Sequence, residues 1–96
     1  MLESSRTLSF RDISPQAPTH VLVLPKDHDP NLAALAAADG SLLTELISQV
    51  DEVAKAEGIS SSGYRVVFNT GADAGEAVPH VHAHLLGGRG LGWPPG

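Results

Sequence analysis

The sequence predicts a small α+β domain, with one long and one short helix packed against an antiparallel β-sheet. Three observations lead there. Residues 7–11, 19–24, 63–70 and 78–86 are short runs rich in β-branched and apolar residues, which suit half-buried strands. Leu42, Leu43, Leu46, Ile47, Val50, Val53 and Ala54 recur at the 3.6-residue period of a helix with one face on a core. The stretches between these segments are dense in Gly, Pro, Asp and Ser, which break regular structure.

Taken in order, residues 7–11 form a short strand that ends before a turn stiffened by Pro15 and Pro18. Residues 19–24 (THVLVL) form its partner strand, closed by Pro25, and residues 25–30 (PKDHDP) are a polar connection. The alanine-rich 31–38 segment suits a short helix, interrupted by Asp39, Gly40 and Ser41. The long helix then runs over about 42–57, capped by Ser41 or Asp39 and ended by Gly58. Strands over 63–70 and 78–86 follow, joined by a loop of residues 71–76, and a Gly/Pro/Trp tail starts at about Gly87.

The 96 residues match the usual size of one domain, so a single domain over 1–96 is expected. A chain this short buries a modest core, and association with a second copy would enlarge the buried area. With no cysteine there is no disulfide, thiolate nucleophile or thiolate zinc site. The net charge of -5, with six scattered cations, argues against a nucleic-acid backbone as partner but leaves a small anion open. The opening MLESSRTLSF has no apolar signal region, and no stretch is long and apolar enough for a membrane span. A cytoplasmic protein with no membrane partner is the expectation.

Chemistry concentrates in residues 80–84. His80, His82 and His84 alternate with Val81, Ala83 and Leu85, so on one strand all three imidazoles share a face. One reading is zinc, since imidazole is a good ligand. At about 3.3 Å per residue the outer histidines lie about 13 Å apart, so one ion takes two of them and needs a third ligand from His20, His28 or Asp73. The other reading is catalysis at phosphorus: a neutral imidazole attacks a phosphoryl centre and leaves it again, with Asn69, His84 and the N–H groups of the 71–76 loop holding the anion.

The residues also carry a resemblance. HVHAHLL resembles the signature of the histidine-triad (HIT) family, and residues 10–28 (FRDISPQAPTHVLVLPKDH), 69–89 (NTGADAGEAVPHVHAHLLGGR) and 93–96 (WPPG) are similar to its nucleotide-binding branch, whose members hydrolyse nucleoside phosphoramidates. The resemblance implies a HIT-like fold and a homodimeric, cofactor-free and metal-independent hydrolase of purine nucleoside 5'-phosphoramidates. His82 is then the nucleophile that forms a nucleotidyl-histidine, His84 binds a phosphoryl oxygen, and His80 supports the nucleophile and is linked to His20. The resemblance further implies that His82's second ring nitrogen donates to a backbone carbonyl. Phe10 and Ile13 become walls of a purine slot, Asp12 the acceptor of ribose hydroxyls, and Asn69, Gly75, Glu76 and Ala77 further nucleotide contacts. Trp93 reaches toward a partner subunit or packs on its own.

Two departures are visible. Glu76 and Ala77 stand where the branch commonly has glutamine followed by serine or threonine, which removes one hydroxyl donor and adds a negative charge. Only five residues precede Arg6, fewer than the family usually has, so the expectation is either that part of one wall of the slot is missing or that the natural chain starts earlier than Met1. A nucleotide-binding interaction protein with weak turnover, or a zinc-binding protein, are the alternatives.

Overall fold

The computed structural model describes residues 2–96. Its elements are β1 (Thr7–Arg11), β2 (Thr19–Pro25), α1 (Leu32–Ala38), α2 (Gly40–Ala56), β3 (Tyr64–Val67), a 3₁₀ turn (Ala72–Ala74) and β4 (Ala83–Gly87). The four strands form one antiparallel sheet in the order β1-β2-β4-β3, so the α+β architecture with one long and one short helix is as the sequence predicts.

The two helices meet at a single residue. Asp39 ends α1 by donating its N–H to the Leu35 carbonyl, and its side chain caps α2 by accepting from the Leu42 N–H. Gly40 and Ser41 therefore belong to the helix instead of interrupting it, because the first N–H groups of a helix need no partner within it. Along α2, Leu42, Leu46, Val50, Val53 and Ala54 are buried as the period requires, whereas Ile47 is exposed. Gln49 is buried in a place the hydrophobic pattern does not mark: its amide bonds the Thr7 hydroxyl and the Leu2 carbonyl. Burying that amide is tolerable because partners meet it.

Burial alternates along the strands and divides the sheet into two faces. Val21, Val23, Ala83 and Leu85 point toward the helices and join Leu35, Leu46 and Val53 in the core. The opposite face carries Leu8, Phe10, His20, Leu22, Leu24, His84 and Leu86, which are less covered except for His20. No helix among the described residues is long and apolar enough to cross a membrane.

The last two strands are shorter than expected. β4 starts at Ala83, not at residue 78, so His80 and His82 precede the ladder that holds His84. Pairing of β2 with β4 stops at Val23↔Ala83. Beyond it, Pro25 has no N–H to donate and its carbonyl is taken by the His80 ring, while Pro79 lacks an N–H on the other side. β3 stops at Val67, opposite His84, one residue short of the end of its partner strand. The tail begins at Gly88, one residue later than expected, since Gly87 pairs with both Thr19 and Tyr64.

Candidate active site

Two elements bring the histidines together. In the register of β2 against β4, Leu22 faces His84 and His20 faces Leu86, so His20 and His84 are diagonal neighbours on the open face. Their rings meet, with His20 Nε2 2.9 Å from His84 Nδ1. This corrects the expectation that His80 is linked to His20: the register places His80 four residues away from His84, toward the opposite end of β2. His80 instead meets His28, Nδ1 to Nδ1 at 3.0 Å, and its Nε2 lies 2.9 Å from the Pro25 carbonyl.

The hydrogen-bond partners fix which nitrogen of each ring carries the proton. A backbone N–H can only donate, so the Gln16 N–H, 3.0 Å from His20 Nδ1, leaves that nitrogen as an acceptor. In neutral His20 the proton then sits on Nε2 and is donated to His84 Nδ1. His84 in turn carries its proton on Nε2. The pattern at His82 is reversed: its Nδ1 donates to the His80 carbonyl at 2.7 Å, which leaves Nε2 with a free lone pair. Ring centroids of His82 and His84 are 5.0 Å apart, so the ring with the free lone pair and the ring with the Nε2 proton are neighbours. His84 is held below the usual histidine range first by burial and then by the neighbouring His82 and His20, with Asp12 opposing. Neutral His84 is the form the donor chain requires.

Asp12, His20 and His84 place one potential ligand atom each within 4.8 Å of one another, which makes them the metal-binding candidate among the described residues. Their donor set does not fit. If His20 Nε2 bound an ion, the ring proton of neutral His20 would move to Nδ1 and face the Gln16 N–H, donor against donor. The ligands considered from sequence also separate: His28 goes to His80 and Asp73 lies in the exposed 3₁₀ turn.

Beside the histidines a pocket of about 220 Å³ is lined by Phe10, Leu22, Leu24, Val78, His80 and His82. Phe10, expected as a wall of a purine slot, lines this pocket. Leu22, Leu24 and Val78 join it, and alternation along β2 from His20 puts the first two on the same face. Ile13 is fully exposed and does not line the pocket. Asp12 holds the Ser14 turn, accepting its N–H at 2.8 Å through Oδ1, while Oδ2 faces His20 Nε2 at 3.6 Å.

Asn69 is half-buried just beyond β3. The 71–76 loop departs from an open anion nest: the N–H groups of Ala74, Gly75 and Glu76 donate to carbonyls of Gly71 and Ala72 inside the loop. Gly75 adopts φ 77°, a left-handed conformation that favours glycine. Glu76 is half-buried and Ala77 exposed, and neither lines the pocket. Trp93 is exposed and tied to its own chain, its ring 6.0 Å from the Arg65 guanidinium, which also donates to the Gly92 carbonyl.

Known proteins share this fold. Residues 1–91 match the HIT domain family. The chain is 49% identical over 94 residues to an uncharacterized HIT-like protein of Synechococcus elongatus, covering 98% of this chain and 82% of that one. It is 48% identical over 97 residues to a 14 kDa zinc-binding protein of Zea mays, covering 98% and 74%. A crystal structure of a HIT family hydrolase from Legionella pneumophila superposes with a TM-score of 0.95 at 46% identity, covering all of this chain and 86% of the other.

Proposed function

The chain belongs to the HIT family, and from that premise we propose that it hydrolyses purine nucleoside 5'-phosphoramidates through a nucleotidyl-His82 intermediate, as a homodimer of the nucleotide-binding branch. The observation that carries this reading is the opposite polarity of the two adjacent rings: His82 offers a bare Nε2, and His84 offers an N–H. The Legionella relative is described as a hydrolase, which agrees with the reaction class.

In the first step the His82 Nε2 lone pair forms a bond to phosphorus and the P–N bond of the substrate breaks. The leaving nitrogen takes up a proton from solvent and departs as the amine. His84 Nε2–H donates to a non-bridging oxygen, where charge builds in the transition state. His82 keeps its Nδ1 proton, so the phosphorylated ring is an imidazolium whose N–H rests on the His80 carbonyl. That positive charge makes the ring a good leaving group. In the second step water attacks phosphorus, the bond to Nε2 breaks, and the proton lost by water balances the one taken by the amine. The base lies against Phe10, Leu22 and Leu24, and Asp12 is close enough to the histidines to accept ribose hydroxyls.

Ala77 has no hydroxyl to offer the leaving amine, which favours slow turnover as the second reading: a nucleotide-binding interaction protein. The deciding experiment incubates metal-stripped protein with adenosine and guanosine phosphoramidates, follows amine release and nucleotide binding, and compares His82→Ala. Release that needs no metal and disappears in the variant is expected, along with a nucleotidyl adduct on His82 in quenched samples. Binding without release would replace the hydrolase with the interaction protein. Release restored only by stoichiometric zinc would overturn the covalent mechanism.

A further inference from the structure

We propose that His28 is a positioning residue for the nucleophile, acting through His80. The inference rests on the reading of His82 as the attacking group and adds what holds it in place. Residues 80–82 lie outside the β-ladder, since β4 begins at Ala83, so sheet pairing does not fix the carbonyl on which His82 depends. The connection after β2 does this instead. The Asp29 carbonyl accepts from the Val81 N–H at 2.8 Å, the Pro25 carbonyl faces His80 Nε2 at 2.9 Å, and His28 Nδ1 faces His80 Nδ1 at 3.0 Å. Three contacts from residues 25–29 thus clamp residues 80 and 81.

The clamp has a defined polarity. A carbonyl only accepts, so His80 Nε2 must carry a proton to bond Pro25. Neutral His80 then has a lone pair at Nδ1, and the 3.0 Å contact is a bond only if His28 donates from its own Nδ1. His28 thereby selects the tautomer that fastens residue 80 to β2. An acceptor in its place would draw the His80 proton to Nδ1, release Pro25 and free the carbonyl that orients His82. His28 is itself exposed, so its replacement leaves the core untouched.

The test compares His28→Asn, His28→Leu and His28→Asp. The asparagine amide reaches about as far as Nδ1 and can donate, leucine can do neither, and aspartate can only accept. Small misplacements of a reacting group cost up to about a hundredfold in rate, so His28→Leu and His28→Asp are expected to lower kcat by about tenfold or more with KM changed less than about threefold. His28→Asn is expected to stay within about threefold of the parent. Imidazole ¹⁵N shifts supply a readout that needs no turnover: the His80 proton should stay on Nε2 in the parent and His28→Asn and move to Nδ1 in His28→Asp. Equal kcat in the asparagine and aspartate variants, or an unmoved His80 proton, would overturn the inference. If His82→Ala still turns over while the His80 proton moves as expected, the nucleophile assignment has failed and the clamp has not.

Discussion

Replacing His20 by Gln or by Glu isolates the donor chain from packing, because the two side chains are nearly the same size and differ in whether they donate. His20 is 5% exposed and carries the Gln16 N–H on one nitrogen and His84 on the other. Glutamine places an N–H near the former Nε2 and keeps His84 Nδ1 as an acceptor. Glutamate accepts there instead, moves the His84 proton to Nδ1 and strips Nε2 of the hydrogen that meets the phosphoryl oxygen. A hydrogen bond to a charged group contributes about 1.5–3 kcal/mol. If that bond strengthens only in the transition state, its loss lowers kcat by roughly 10- to 150-fold at about 1.36 kcal/mol per decade. The assay is amine release from an adenosine phosphoramidate, with thermal unfolding to show that both variants are folded at the assay temperature. His20→Gln should retain most of the rate and His20→Glu should fall by the stated factor. Rates within about threefold of each other would refute the tautomer argument, as would ¹⁵N shifts showing His84 Nε2 without a proton in the parent.

Two further outcomes follow from the same geometry. Gly88 has φ 89°, and a Cβ there would stand 2.9 Å from Pro18 Cβ, so Gly88→Ala combines backbone strain with a clash against the turn that precedes β2. A cost of about 1–3 kcal/mol is expected, which lowers Tm by about 4–24 °C in a domain this small, measured by thermal unfolding. Acidification probes His84, whose protonation is disfavoured in the fold by burial, His82 and His20. The unfolded chain takes up this proton near the ordinary value of about 6.5 and the folded chain only at lower pH, so stability contributed by neutral His84 is complete above about 6.5 and is lost as pH falls toward the depressed value. Tm of the parent should therefore drop more steeply from pH 7 toward 5.5 than Tm of His84→Gln, and parallel curves would contradict the shift.

Local pattern sufficed for β1, β2 and both helices, because each is set by its own period and punctuation. Pro25 closes β2 and the Asp39 side chain starts α2, and both are readable within a few residues. What local pattern does not contain is pairing register. The alternation in HVHAHLL continues through His80, yet the ladder starts at Ala83, for reasons that lie in Pro25 across the sheet. The same gap explains the His20 error: period two places His80, His82 and His84 on one line, but only the offset of β2 against β4 decides which of them His20 meets. The burial of Gln49 is not legible in the pattern, because an amide interrupts the hydrophobic stripe and its partners Thr7 and Leu2 are more than forty residues away. The three histidines stand out by residue type and spacing and Phe10 only through the family resemblance, whereas Gln16 contributes a backbone N–H, which no side-chain pattern reveals.

That backbone N–H bears on why three like residues do unlike chemistry. A neutral imidazole has one proton and two nitrogens, so its role depends on what occupies the nitrogen turned away from substrate. At His82 that position is filled by a carbonyl, and the outward nitrogen becomes a base or nucleophile. At His84 it is filled by a ring N–H whose own direction comes from Gln16, and the outward nitrogen becomes a donor. Gln16 is also the residue whose carbonyl accepts from the Arg89 guanidinium at 2.8 Å, just beyond β4. The turn between β1 and β2 is thereby held to the end of the strand that carries His84, which keeps the donor chain in register with the ring it polarises. The roles assigned to the histidines thus reside in the β1–β2 turn and the 25–29 connection as much as in the triad itself.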